Sequence, residues 1–239
     1  MKLKVLSLAL GLGVMTLISC NQKINKNVSL NNTIDSVSYS LGANFGSNLE
    51  RNGLTEIDEK VFLAAMYAAL DKDSLLIDPR QGNSIINNYL RKLQMKVGEE
   101  NKAKGEKFLD ANKSKEGVVT TESGLQYRII NEGEGKKPLA TDKVKVHYRG
   151  TTIDGEEFDS SFKRNQPATF AANRVIKGWT EALQLMPVGS KWELFIPADL
   201  AYGPRGAGGG GIGPNETLIF EVELLEIVKP EPKKDAAKK

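Results

Sequence analysis

Hydrophobic residues in the N-terminal half of the chain recur at helical spacing. The pattern predicts three helices, over about residues 34–51, 58–70 and 79–112. The first helix carries its apolar stripe at every fourth position, on Val37, Leu41, Phe45 and Leu49. Asp58 and the pair Asp78-Pro79 are typical helix starts, because Asp caps free backbone N–H groups and Pro fits the first turn.

The second half of the third helix has a different pattern. Residues 98–107 are polar all round, which predicts either a solvent-bridging arm or no helix, with Gly98 and Gly105 as bend points. Helices of this size cannot enclose a good core alone. Their wide apolar faces therefore predict a partner surface, most simply a second copy of the chain. The alternative is that they pack on the C-terminal part of their own chain.

After Gly117 the hydrophobic period changes from helical to alternating. Strands are indicated around residues 125–129, 144–148, 192–196 and 218–224, with one helix over residues 175–185. Several short strands with a single helix predict an α+β fold over residues 117–228, in which an antiparallel β-sheet wraps around that helix.

The extreme N-terminus has the pattern of an export signal. Lys2 and Lys4 precede an uncharged, mostly apolar run, Val5–Ile18, that is too short to span a membrane. The segment as a whole ends at Cys20 and resembles a bacterial lipoprotein signal, in which the final cysteine is lipidated. This implies that residues 1–20 are a signal peptide and that the mature chain is exported and anchored through Cys20, with the outer membrane favoured. A buried helix with an inert thiol is the alternative. Residues 21–33 are polar and suit a flexible tether.

Composition excludes several classes of function. The 239 residues include one Cys and one His, too few for a disulfide within the chain, a thiolate zinc site or a His-based metal cluster. The pI near 8.8 invites a nucleic-acid interpretation. However, the basic excess lies in the signal and in residues 229–239, a Lys-rich, Pro- and Ala-containing segment expected to be disordered. Residues 21–228 hold 26 basic and 28 acidic residues, so nucleic acid is not expected as a partner.

Several motifs resemble a known family. Five stretches stand in the order found in the FKBP-type peptidyl-prolyl cis/trans isomerases: Val146–Gly150, Gly155–Ser161, Val175–Trp179, Ala201–Gly203 and Thr217–Leu224. Three further segments are similar to its macrophage-infectivity-potentiator subgroup: Ser38–Gly42, Lys107–Leu109 and Ser123–Tyr127. The resemblance implies a homodimer formed through a helical domain, residues 34–116, whose long helix connects to an isomerase domain, residues 117–228.

The resemblance also implies the site residues. Positions matching the family's catalytic residues are Asp159, Tyr202, Trp179, Tyr148 and Phe158, and positions matching its substrate-binding residues are Arg164, Val175, Ile176, Ile212 and Phe220. Trp179 would form the floor beneath the proline ring, and Tyr202 would donate its hydroxyl to the substrate carbonyl. Asp159 would act on that carbonyl or hold Tyr148, and Arg164 would pair with Asp159. By themselves, aromatic residues in alternating strands are more often core packing.

Rotation about an X-Pro bond needs an apolar pocket and no metal, cofactor or nucleophile. The expected activity is isomerisation in proline-containing exported polypeptides, with chaperone activity, and macrolides are expected inhibitors. A non-catalytic FKBP-like surface module or adhesin is the alternative. Two features depart from the family pattern: Ala168 stands where many relatives have an aromatic residue, and the loop 203–211 is Gly-rich, which predicts a mobile flap. His147 is expected to be structural.

Overall fold

The computed structural model describes residues 26–207 and 211–228. The predicted signal peptide with Cys20, the basic tail and the centre of the Gly-rich loop lie outside these ranges. The chain divides after Gly46 into two compact units.

Three α-helices form the N-terminal region: α1 (Thr33–Arg51), α2 (Glu59–Asp71) and α3 (Pro79–Asn112). The predicted caps are present, since the Asp58 carboxylate accepts hydrogen bonds from the backbone N–H groups of Lys60 and Val61 at 3.0 and 3.1 Å. No residue of α1 or α2 is buried in the described part of the chain. Among the helices described, none is both long and apolar enough to cross a membrane.

The C-terminal region is one antiparallel sheet of seven strands. They are β1 (Val118–Thr120), β2 (Gln126–Asn131), β3 (Lys143–Thr152), β4 (Glu157–Ser160), β5 (Ala168–Ala171), β6 (Lys191–Ile196) and β7 (Leu218–Val228). The order across the sheet is β1-β2-β6-β7-β3-β4, and β5 pairs with β3. The predicted α+β architecture is confirmed. The short strands β1, β4 and β5 were not predicted.

Helix α4 (Lys177–Leu185) packs on this sheet and closes the core. Its buried residues are Gly178, Trp179, Ala182 and Leu183. A Cβ atom on Gly178 would lie 2.5 Å from Ile196 Cγ2, so the close approach of α4 to β6 requires glycine there. Strand β3 alternates as predicted: Val144, Val146 and Tyr148 are buried, whereas His147 is half-buried and stacks on Phe162 at 4.8 Å.

The polar half of α3 lies along the sheet domain, so the predicted solvent-bridging arm is wrong for this stretch. Gly98, Gly105 and Asn112 are buried. Asn101 Nδ2 donates to the carbonyl of Pro214 at 3.0 Å, and Asn215 Nδ2 donates to the carbonyl of Gly98 at 3.2 Å. Glycines in place of large side chains let the helix approach the loop that precedes β7. Gly98 and Gly105 are therefore contact points in a continuous helix, and the bends predicted at these positions are absent from α3 as described.

This contact holds one half-buried carboxyl, that of Glu216. Burial raises the pKa of Glu216, and the nearby charges of Glu156 and Asp154 add to the rise. A backbone hydrogen bond from Gly213 and the charge of Lys104 act in the opposite direction. Glu216 Oε2 is buried and finds no hydrogen-bond partner among the described residues. Ionised Glu216 therefore destabilises the interface between α3 and the sheet domain.

Candidate active site

An apolar cleft of about 600 Å³ opens beside α4. Its walls come from the sheet, from the turn before α4, from α4 itself and from the loop that follows β6. The described residues that line it are Tyr148, Phe158, Asp159, Phe170, Arg174, Val175, Ile176, Trp179, Tyr202, Ala207, Ile212 and Phe220. This volume lies within the range of small-molecule and peptide side-chain sites.

The floor of the cleft is an aromatic cluster centred on Trp179. The Trp179 ring is 4% exposed and makes edge-to-face contacts with Tyr148 and Phe220, with ring centroids 5.3 Å apart in each pair. Phe170 completes a third edge-to-face pair with Trp179 at 5.9 Å. Such pairs each contribute about 0.5–1.5 kcal/mol beyond the burial of area, so the floor is rigid.

A glycine on β3 makes room for the aromatic wall next to this floor. A Cβ atom on Gly150 would lie 2.6 Å from the Phe158 ring and 2.7 Å from the Phe220 ring. Any larger residue would push both rings out of position. Gly150, the last residue of the motif Val146–Gly150, thus makes room for two rings of the lining without lining the cleft itself.

The polar edge of the cleft is a network of three side chains. The Tyr148 hydroxyl donates to Asp159 Oδ2 at 2.5 Å, and Arg164 donates to Asp159 Oδ1 at 2.5 Å and to the Tyr148 hydroxyl at 3.0 Å. Burial alone would raise the pKa of Asp159, but the hydrogen bonds from Arg164 and Tyr148 outweigh it and the pKa of Asp159 is lowered. Asp159 is therefore an anion whose two oxygens are both engaged.

The two tyrosines of the lining differ in their partners. Burial raises the pKa of Tyr148, as does its hydrogen bond to Asp159. Burial also raises the pKa of Tyr202, with a smaller contribution from the charge of Asp159. The Tyr202 side chain is 41% exposed, and its hydroxyl forms no hydrogen bond with any residue that the structure describes. Tyr202 remains a protonated donor available to a ligand at neutral pH.

The structure brings nine of the ten predicted site residues to this one cleft. Arg164 is the exception: it lies outside the lining and, as predicted, pairs with Asp159. Three lining residues were missed, namely Phe170, Arg174 and Ala207. Phe170 lies two positions beyond Ala168 on β5, and its ring packs against Tyr148 and Trp179 at 5.9 Å in each pair. The two-residue period of a strand was the available signal, but β5 is only four residues long. His147 lies outside the lining, with its Nδ1 3.0 Å from Ser161 Oγ.

The side chains of residues 26–207 and 211–228 do not form a cluster of metal ligands. These residues contain no group of three or more His, Cys, Asp or Glu side chains placed to hold a metal ion. The site is an aromatic cleft with one free hydroxyl donor, Tyr202, and one carboxylate, Asp159, that is paired with Arg164.

Two family models match the chain, and together they cover most of it. Residues 134–225 match the FKBP-type peptidyl-prolyl cis-trans isomerase model, and residues 34–129 match the domain amino terminal to FKBP-type peptidyl-prolyl isomerase. The chain belongs to the FKBP-type peptidyl-prolyl cis-trans isomerases. The resemblance found in its motifs is thus confirmed, and the aromatic cleft belongs to an isomerase.

Individual relatives agree with the family models over nearly the whole chain. The chain is 46% identical over 237 residues to the outer membrane protein MIP of Legionella longbeachae, covering 96% of this chain and 99% of that protein. It is 41% identical to the peptidyl-prolyl cis-trans isomerase Mip of Coxiella burnetii over 82% of this chain and 87% of that one. The crystal structure of FkpA from Escherichia coli superposes with a TM-score of 0.61 at 34% identity, covering 85% of this chain and all of that one. The chain is a Mip-like FKBP-type isomerase.

Proposed function

We propose that this isomerase acts on X-Pro bonds of exported polypeptides through the cleft above Trp179, with Tyr202 and Asp159 as its polar catalytic groups. The observation that carries the proposal is an apolar aromatic cleft with one unpartnered hydroxyl at its edge. An X-Pro amide resists rotation with a barrier of ~18–20 kcal/mol, because rotation breaks the resonance of the amide. The reaction makes and breaks no covalent bond, so a shaped cavity suffices.

The cleft accelerates rotation by binding the twisted amide better than the planar one. A planar amide carries the charge separation of resonance and is well solvated by water, whereas a twisted amide carries less. An aromatic cavity that excludes water therefore disfavours the planar ground state more than the transition state, which is differential binding. Chaperone activity would follow from binding of unfolded segments by the same apolar walls.

The proposed roles follow from position. Trp179 is the floor on which the proline ring rests, and Val175, Ile176, Ile212 and Phe220 are walls that strip water. Tyr202 donates its free hydroxyl to the substrate carbonyl. Asp159 holds the Tyr148 hydroxyl and is itself held by Arg164, which keeps the edge of the cleft rigid.

The activity is tested by exchange NMR on Leu-Pro peptides with the full chain, Tyr202→Phe and Asp159→Ala. Wild type is expected to accelerate cis/trans exchange, and both variants are expected to be slower. Peptide binding without acceleration by the wild type would support the alternative of a non-catalytic surface module. A Lys163→Gln variant, changed at an exposed cation outside the lining, is the control and is expected to match wild type.

For assembly, we propose a homodimer formed through residues 34–116. In support, α2 presents many exposed apolar side chains, with exposed fractions of 66% for Val61 and 68% for Leu70. Exposed apolar patches of this kind mark protein–protein interfaces. Light scattering on residues 21–239 should give twice the chain mass. Leu70→Glu should lower it to one chain mass, whereas Lys60→Glu, a charge change on the polar part of the same helix, should not. A wild-type monomer would refute the dimer.

For localisation, we propose an exported lipoprotein anchored through Cys20. The lipobox-like end of the signal supports this, as does a relative named an outer membrane protein. Expression in a Gram-negative bacterium with labelled palmitate should give a labelled membrane protein. Cys20→Ser should abolish both the label and membrane retention, and retention of the unlabelled variant would contradict the anchor.

A further inference from the structure

The lining of the cleft contains one charge without a partner. Among the described lining residues, only Asp159 and Arg174 are charged. Both oxygens of Asp159 are engaged, by Arg164 and by Tyr148. The Arg174 side chain is exposed and makes no ion pair or hydrogen bond within the described ranges 26–207 and 211–228. Counted together with Arg164, which lies outside the lining and pairs with Asp159, these groups leave the positive charge of Arg174 uncompensated at the edge of the cleft.

The backbone fixes Arg174 at this edge. It lies in the turn between β5 and α4, where its N–H donates to the carbonyl of Ala171 at 2.9 Å. The neighbouring Ala172 is fully buried: its N–H donates to Asp142 and its carbonyl accepts from Thr180 Oγ1 at 2.8 Å. The backbone just before Arg174 is thus held in place, while the long side chain of Arg174 is free to follow a ligand.

We propose that Arg174 is a specificity-determining residue that favours substrates with an acidic side chain close to the proline. This rests on the isomerase activity of the cleft and adds a charge preference to it. A guanidinium binds a carboxylate through two parallel hydrogen bonds, which needs no rearrangement of the apolar walls. Asp159, the anion of the lining, is paired with Arg164, which weakens its repulsion of an acidic substrate.

The size of the preference follows from exposure. Ion pairs at a solvated edge contribute about 0.2–1 kcal/mol, so the preference should be about 1.4- to fivefold in kcat/KM. The Debye length falls from about 10 Å at 0.1 M salt to about 3 Å at 1 M, so the preference should fade at high salt. Because Arg174 lies at the edge and not at the reacting carbonyl, the change should appear mainly in KM.

The test uses pairs of proline peptides in which one member has Glu and the other has Gln at the same position. That position is placed in turn at each of the two residues before and the two residues after the proline. Full-length wild type should turn over at least one Glu peptide about 1.4- to fivefold better than its Gln partner. Arg174→Gln should remove the difference, and Arg174→Glu should reverse it. Arg205→Gln is the matched control: it removes the same charge from the loop after Tyr202, outside the lining, and should keep the preference.

The outcomes separate this inference from the activity on which it rests. Turnover of the Gln peptides by wild type reports isomerase activity whatever the charge preference. With those peptides turned over, equal rates for every Glu and Gln pair would overturn the role of Arg174. A preference that survives Arg174→Gln, or that Arg205→Gln also removes, would overturn it equally.

Discussion

Loss of the hydroxyl is expected to affect a different property in each tyrosine of the cleft. Removing it from Tyr148 should lower stability, whereas removing it from Tyr202 should lower activity. Tyr148→Phe removes a donor to Asp159 and an acceptor from Arg164, at 2.5 and 3.0 Å. Hydrogen bonds to charged groups contribute about 1.5–3 kcal/mol when buried. The Asp159 and Arg164 side chains are 42% and 52% exposed, so water replaces part of that contribution. The expected loss of unfolding free energy is about 1 kcal/mol, or roughly 2–4 °C in Tm for a chain of this size.

The same substitution is expected to change the titration of Asp159. Burial raises the pKa of Asp159, whereas Arg164 and Tyr148 together bring it below its ordinary value, so removing Tyr148 moves it upward. A carboxylate with a lowered folded-state pKa stabilises the fold above its unfolded pKa of about 3.9 and loses this effect as the pH falls through the folded value. The stability gap between wild type and Tyr148→Phe should therefore be present at pH 7 and shrink below about pH 4.

Tyr202→Phe is the matched comparison, because its hydroxyl has no partner in the described structure. Its stability should stay within about 0.5 kcal/mol of wild type. Its kcat/KM should fall about two- to tenfold, the value of one neutral hydrogen bond made to the substrate. Thermal unfolding, carboxyl-carbon NMR titration and exchange kinetics measure these quantities. Equal stability of the two variants, or an unchanged Asp159 pKa in Tyr148→Phe, would refute the assignment.

Two further predictions concern the interface between α3 and the sheet domain. Gly105→Ala should lower the unfolding free energy by about 1–3 kcal/mol, because its Cβ would overlap buried Thr217. Gly82→Ala should raise it by up to about 1 kcal/mol, because its Cβ would make only an ordinary contact with Ile77 at 3.9 Å. Thermal unfolding of both variants decides, and equal effects would contradict the contact. Glu216→Gln should stabilise the protein at pH 7 and flatten the dependence of its unfolding free energy on pH. The raised folded-state pKa of Glu216 means that wild type loses stability as the pH rises from about 4.5 through that pKa. An unchanged dependence on pH in the variant would refute this.

Local signals accounted for much of the N-terminal fold. Asp58 and Asp78-Pro79 marked helix starts because capping depends on neighbouring residues alone. The contact of α3 with the sheet domain could not be predicted in this way. A helix that is polar all round shows no apolar stripe, and at Gly98 and Gly105 the contact is made by the absence of a side chain.

The cleft shows the same division between motif and three-dimensional contact. Tyr148, Asp159 and Trp179 stand in motifs and were predicted from the family resemblance. Phe170 and Arg174 were missed, because a four-residue strand is too short for a clear period and an arginine in a turn is usually a solvated surface residue. Their place in the cleft depends on the pairing of β5 with β3, which is a non-local contact.

The central claim, that proline substrates settle over Trp179, is tested most directly by the two indole N–H signals of protein labelled with ¹⁵N-tryptophan. The chain has two tryptophans, and both indole nitrogens are buried without a partner among the described residues. Trp179 lines the cleft, whereas Trp192 lies outside it, stacked on Tyr127 at 4.3 Å. Adding a Leu-Pro peptide at concentrations that accelerate its exchange should shift the Trp179 signal and leave that of Trp192 in place. Accelerated exchange with both signals unmoved would contradict the account.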